Sequence, residues 1–230
     1  LEEIDESIRN GLDAMTVLAA QFQRVPGARY AANIMFFRPM SEIQVREYEG
    51  MINGLGIFLD WSSLDGLAGV LDLQPQLSAS TDNEEDSFDP DPTLKPMALP
   101  LPEEQKSKNN GLKRYLPGAP TALIEGDFLV DDTLQLLVNY DKNLDYDIPR
   151  SIFQGIDAYF RNTDEGQRVR SFMSLMLYYR EPGVDGNEIA IGVVNIHSDR
   201  INLFASRELA AQYMSLCQPF ILGLAKMIKN

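Results

Sequence analysis

The chain has 230 residues, enough for one large domain or two small ones and for a substantial core. Hydrophobic residues make up 44% and charged residues 23%, the composition of an ordinary globular protein rather than a disordered or fibrous one. Thirty-four acids against twenty bases give a net charge of −14, and that field repels phosphate backbones and anionic lipid, so neither nucleic acid nor direct membrane contact is expected.

Residues 3–24 predict an amphipathic helix. Ile4, Ile8, Leu12, Met15, Leu18, Ala19 and Phe22 recur at steps of three and four, and Glu2, Glu3, Asp5 and Glu6 complement the positive end of its dipole. Pro26-Gly27 ends it. Tyr30–Phe37 (YAANIMFF) is short, apolar and closed by Pro39, which predicts a buried strand. Ser41, Glu42, Val45 and Tyr48 suggest a helix into the fifties, broken near Gly54 and Gly56. Gly66–Ser80 holds a second strand, with Pro75 demanding an edge position or a bulge.

Composition then changes. Thr81–Pro102 carries Asp82, Glu84, Glu85, Asp86, Asp89, Asp91 and five prolines, with few large apolar groups to offset the entropy of ordering. The expectation is a mobile acidic, proline-rich insertion over about 81–114 within a single domain spanning 1–230. Tyr115–Pro120 is a turn-rich lead-in to Thr121–Glu125, and Asp131–Asn139 predicts a short helix with acids at its start. A further helix begins at Asp147-Ile-Pro149, with Ile152, Ile156, Tyr159 and Phe160 on its face. Phe172–Tyr179 and Ile189–Ile196 are apolar runs joined by a polar turn with Pro182, Gly183, Asp185 and Gly186, which predicts a hairpin. Leu209, Tyr213, Leu216, Phe220, Leu224 and Ile228 place a final helix after Ser206, with a kink expected at Pro219.

Catalytic chemistry is sparse. His197 is the single histidine, and no Gly-x-Ser-x-Gly elbow accompanies it, so it is read as a strand-end residue with a local hydrogen bond. Cys217 is the one cysteine and is read as a buried structural thiol; a lone thiol excludes an intrachain disulfide, fits a reducing compartment, and with one histidine falls short of a zinc ligand set. Asp141, Asn143, Asp145 and Asp147 alternate as in a calcium loop, but Tyr146 and Ile152 stand where that loop needs Gly and Glu. No metal and no named cofactor is expected. There is no phosphate-binding loop or dinucleotide glycine pattern, no run of eighteen apolar residues and no signal-peptide pattern. The chain opens on Leu1 rather than Met, so a fragment or processed product of a longer protein is expected, with any membrane anchor or output domain outside these residues.

Ser171–Leu177, the polar turn, Ile191-Gly-Val-Val-Asn-Ile-His-Ser198, Phe204 and the terminal helix together resemble the C-terminal half of GAF domains, and the first helix and Ala31–Phe37 sit where that family has its first helix and strand. The resemblance covers most of the chain outside Thr81–Arg114. It implies an α+β fold: a central antiparallel sheet of about five or six strands, the N- and C-terminal helices on one face, and loops and short helices enclosing a ligand pocket on the other. It also implies homodimerisation through the terminal helices and a cytoplasmic place in a larger, bacterial-type signalling protein. The cysteines of GAF-fold methionine sulfoxide reductases and of bilin-binding relatives have no counterpart at Cys217. The cyclic-nucleotide signature is reduced to Phe204 and Glu208.

By the same resemblance the pocket residues are expected to be Tyr115, Asp131, Asp132, Phe153, Ser171, Met173 and Asn195. Alternation groups Ser171, Met173 and Leu175 on one strand face and Asn195 with His197 on the other strand, without fixing which faces look into the pocket. The expected function is a non-enzymatic sensory or regulatory domain that binds a small molecule not identified by the sequence and relays it through the terminal helices. The alternatives are a dimerisation or docking module without ligand, and an enzyme whose site the residue patterns do not reveal.

Overall fold

The computed structural model describes residues 2–39, 67–82, 90–103, 111–142, 146–148, 150–180 and 188–229. The helix expected from Ser41, the glycines at 54 and 56, the turn at 182–186 and most of the acidic tract lie outside them. Twelve elements follow one another among the described residues: α1 (Glu2–Gln23), β1 (Tyr30–Pro39), β2 (Leu67–Ser80), β3 (Ala98–Pro102), α2 (Ala119–Glu125), β4 (Phe128–Val130), α3 (Thr133–Lys142), α4 (Arg150–Asn162), α5 (Asp164–Gln167), β5 (Ser171–Arg180), β6 (Glu188–Ser198) and α6 (Arg207–Lys229). The fold is α+β. Six strands make one antiparallel sheet in the order β3-β2-β1-β6-β5-β4, with long helices at both ends of the chain.

Each strand divides its side chains between two faces, as the period of two requires. Tyr30, Ala32 and Ile34 of β1, Val194 and Ile196 of β6, and Met173, Leu175 and Leu177 of β5 join Leu12, Met15, Tyr213, Cys217, Ile221 and Leu224 of α1 and α6 in one core. Fully burying side chains such as Leu12 or Ile34 contributes about 1.5–3 kcal/mol each. Phe22, Phe204 and Tyr213 pack ring to ring at 4.7–6.4 Å, and the buried Tyr213 hydroxyl donates to the Met15 carbonyl at 2.9 Å. That bond ties α6 to α1. Ser206 caps α6, its hydroxyl accepting from the Leu209 N–H at 3.2 Å, and the helix continues through Pro219.

The opposite face of the sheet carries a second core of Met35, Leu71, Leu73, Leu101, Ala119, Ala122 and Val193. The helix α2 lies over it, and Leu116, Leu137, Ile156 and Tyr159 form a further apolar layer. Gly192 lies where β6 passes close to β1: a Cβ there would collide with the Met35 carbonyl oxygen.

One expectation is corrected, and one of two alternatives is decided. The stretch read as a structureless insertion contributes the edge strand β3, and Asp91 within it is buried. Proline deterred a strand reading, yet an edge strand has one side that needs no donors, so Pro100 and Pro102 are tolerated there. Pro75 does not mark an edge, because β2 lies between β3 and β1. It does sit in a bulge: Ile34 pairs with Gln74 and the adjacent Asn33 with Ser78, so residues 75–77 are skipped and the missing N–H of Pro75 costs no ladder bond.

Candidate functional site

A cavity of about 150 Å³ lies between the second face of the sheet and its cover. The register of the sheet decides what its floor is made of. Asn33 pairs with Ser78 on one side and Asn195 on the other, and Asn195 pairs with Ser174, so four small polar residues form a row across β2, β1, β6 and β5. Three of the row line the cavity and are linked: the Ser174 hydroxyl donates to Asn195 Oδ1 at 2.7 Å, and Asn195 Nδ2 donates to Asn33 Oδ1 at 2.9 Å. One register step away, Ala31, His197 and Phe172 form the next row.

Apolar side chains make the walls. Met35 and Leu73 rise from the sheet, Leu94, Met97 and Leu99 come from the segment around β3, and Leu137, Ile156, Tyr159 and Phe160 descend from α3 and α4. Gly118 starts α2 at φ +100°, and a Cβ there would press on the Phe172 ring at 3.2 Å, so both backbone and space favour glycine. Glu165 of α5 also lines the cavity and accepts from the Lys95 N–H at 3.4 Å and from the Tyr159 hydroxyl. Burial raises its carboxyl above the usual range, against these hydrogen bonds.

His197 is 5% exposed, and its Nε2 has no hydrogen-bond partner among the described residues. Burial first, then the nearby Arg29 charge, lower its pKa to about 4, with Asp91 opposing. The imidazole is therefore neutral near pH 7. Arg29 is itself buried, ion-paired with Asp91 and with Asp82 at 2.6 Å. Burial works to raise the Asp91 carboxyl, but hydrogen bonds from the Thr93 N–H and hydroxyl, together with Arg29, hold it below the usual range.

Of the residues expected at a pocket, Asn195 lines the cavity. Met173 faces the terminal helices instead, in the first core, and Ser171 shares its face and donates to the Arg200 carbonyl at 2.6 Å. Their parity was correct as a pair, but strand pairing puts them on the far side of the sheet. Tyr115 is buried with its hydroxyl on Glu125, and burial first, then Glu125, raises its pKa. Asp132 caps α3, accepting from the Leu134 N–H at 3.0 Å, and pairs with Arg170 at 3.4 Å; Asp131 is exposed. Phe153 packs from α4 into the apolar layer and borders a separate groove with Arg150 and Arg161. The structure thus does not bring these residues together with Asn195.

Asn33, Ser174 and Glu165 were not singled out from the sequence, and His197 was assigned a local hydrogen bond that its Nε2 does not make. A usable signal existed: Asn33 is the one polar residue within YAANIMFF, and Ser174 interrupts the apolar run of β5. A buried polar residue in an apolar strand needs a partner.

The Ser174 hydroxyl donates to the Asn195 amide oxygen rather than to the imidazole, so the two do not form a hydrogen-bonded serine–histidine couple. Among the described residues, no group of three or more His, Cys, Asp or Glu is placed to hold a metal ion. Comparison with family models, curated proteins and solved structures finds no match to this chain.

Proposed function

We propose that this chain is a GAF-like sensory or regulatory domain, without catalytic activity of its own, that binds a small molecule in the cavity on the second face of its sheet. The observation that carries the reading is the polar row on the floor of a mostly apolar cavity, beside an imidazole nitrogen with no partner among the described residues. Ligand sites are mostly apolar concavities with a few placed polar groups, and this cavity has that composition. The order of elements, the terminal helices on one face and the cavity on the other also fit the GAF resemblance. Occupancy would reach α1 and α6 through β1, β5 and β6, each of which contributes to both faces.

The test is native mass spectrometry on gently purified protein, followed by a thermal-shift screen of metabolites. A retained small molecule, or a rise in melting temperature that grows with ligand concentration, is expected, because a ligand selective for the folded state stabilises it. If no compound is retained and none shifts the transition, the ligand-binding reading fails.

A second reading is favoured by exposed apolar side chains on the terminal helices: Leu216 is 50% and Leu222 45% exposed on α6, with Ile4 and Val17 exposed on α1. A homodimer through these helices would cover them. Sedimentation analysis is expected to show a monomer–dimer equilibrium that Leu216→Glu shifts towards monomer by about tenfold in dissociation constant, a typical effect of a charge placed in an apolar interface. A monomer at all concentrations would remove this reading. No helix among the described residues is long and apolar enough to cross a membrane.

A further inference from the structure

The cavity's size, its unspent hydrogen-bonding capacity and the lack of a cation among its described lining residues together restrict what it can hold. This step rests on the ligand-binding reading above. A cavity of about 150 Å³ is the size that admits a single six-membered ring. Phe172, Tyr159 and Phe160 offer ring faces and edges, and Met35 and Met97 offer adaptable thioethers, so a flat ring is the favoured shape.

The floor adds an edge to that ring. Asn33 accepts from Asn195 through Oδ1, while its own Nδ2 donates to no described residue. Ser174 spends its proton on Asn195 and keeps lone pairs free. His197 Nε2 is buried without a partner among the described residues, and the Glu165 carboxyl stands in the same lining. Donor and acceptor capacity therefore meet in the same lining. An amide or lactam, which presents C=O and N–H together, matches both.

Charge supplies the last restriction. No lysine or arginine side chain is among the described residues lining the cavity. Arg29, the cation beside His197, is engaged by Asp82 and Asp91, and Lys95 stands beside Glu165. A carboxylate or phosphate would leave water here without an ion partner, which is unfavourable.

We infer that the cavity takes an uncharged single-ring compound carrying an amide or lactam edge, read by Asn33, Ser174 and His197.

Calorimetric titration at pH 7.5 with benzene, benzamide and benzoate tests this in the whole chain. Benzene probes size alone. Benzamide and benzoate share a shape and differ in charge. Benzamide is expected to bind at least about tenfold more tightly than benzoate, and Asn33→Ala to weaken benzamide about tenfold while leaving benzene within roughly threefold, the scale of one lost hydrogen bond. Benzoate binding as tightly as benzamide overturns the ligand class while benzene binding still upholds the ligand site. Equal weakening of benzamide and benzene by Asn33→Ala also overturns it. Binding of none of the three overturns the ligand site itself and this inference with it. The benzamide–benzoate comparison needs no variant, so it decides the matter even where Asn33→Ala does not fold.

Discussion

Asp91→Ala is expected to destabilise the fold by about 3 kcal/mol, the lower end of what breaking one side of a buried ion pair costs. The Arg29 guanidinium stays buried in the variant and, among the described residues, keeps only Asp82, whose side chain is 59% exposed and therefore a screened partner. Two hydrogen bonds from Thr93 are lost as well. Asp91→Asn should cost less, because the amide oxygen still accepts from Thr93. The midpoint of urea unfolding measures both. An Asp91→Ala midpoint equal to that of the wild type would mean that the segment carrying Asp91 is not held against the sheet, and would remove one wall of the cavity.

The second large effect is a loss of stability in acid. The His197 pKa is lowered from an ordinary 6.5 to about 4, by burial and then by Arg29. Between those values the unfolded chain binds a proton that the native state does not, so stability is fully present above about pH 6.5 and falls as pH drops towards 4. The whole span is worth roughly 3 kcal/mol. Glu165 acts with the opposite sign, because its raised pKa favours the folded state as it protonates. Asp91, held low, loses its contribution only in stronger acid. Subtracting the pH–stability curve of His197→Phe from that of the wild type isolates the imidazole. A difference that is flat from pH 7 to pH 4 would show that the imidazole accepts a proton in the folded state at its ordinary value.

The elements with the strongest periodicity were legible from the sequence alone. The apolar stripe of α1, the runs of β1, β5 and β6 and the spacing along α6 each carry enough apolar residues to fix type and approximate ends. Between β2 and α2 the signal reversed. Asp91 and five prolines argued for a loop by composition, but a single carboxylate can be buried where one arginine waits for it, and an edge strand can absorb prolines. Both facts depend on partners distant in sequence, Arg29 in one case and Val70 and Leu71 in the other.

The site was less legible for a similar reason. Alternation correctly grouped Ser171 with Met173 and Asn195 with His197, but grouping is not orientation. Which group faces the cavity is set by the pairing of β5 with β6 and by the side on which α1 and α6 settle. The polar row is a property of register: Ser78, Asn33, Asn195 and Ser174 are far apart in the chain and become neighbours only when four strands align.

The bulge in β2 changes how the two faces can loosen. Before it, Leu71 and Leu73 pack on the cavity side; after it, Leu77 and Ala79 pack under the terminal helices. One continuous backbone is thus a structural member of both layers. A disturbance that frees the cavity layer pulls on the strand anchored beneath α1, so the two layers are expected to lose amide protection together, as one cooperative unit, rather than peel apart in sequence.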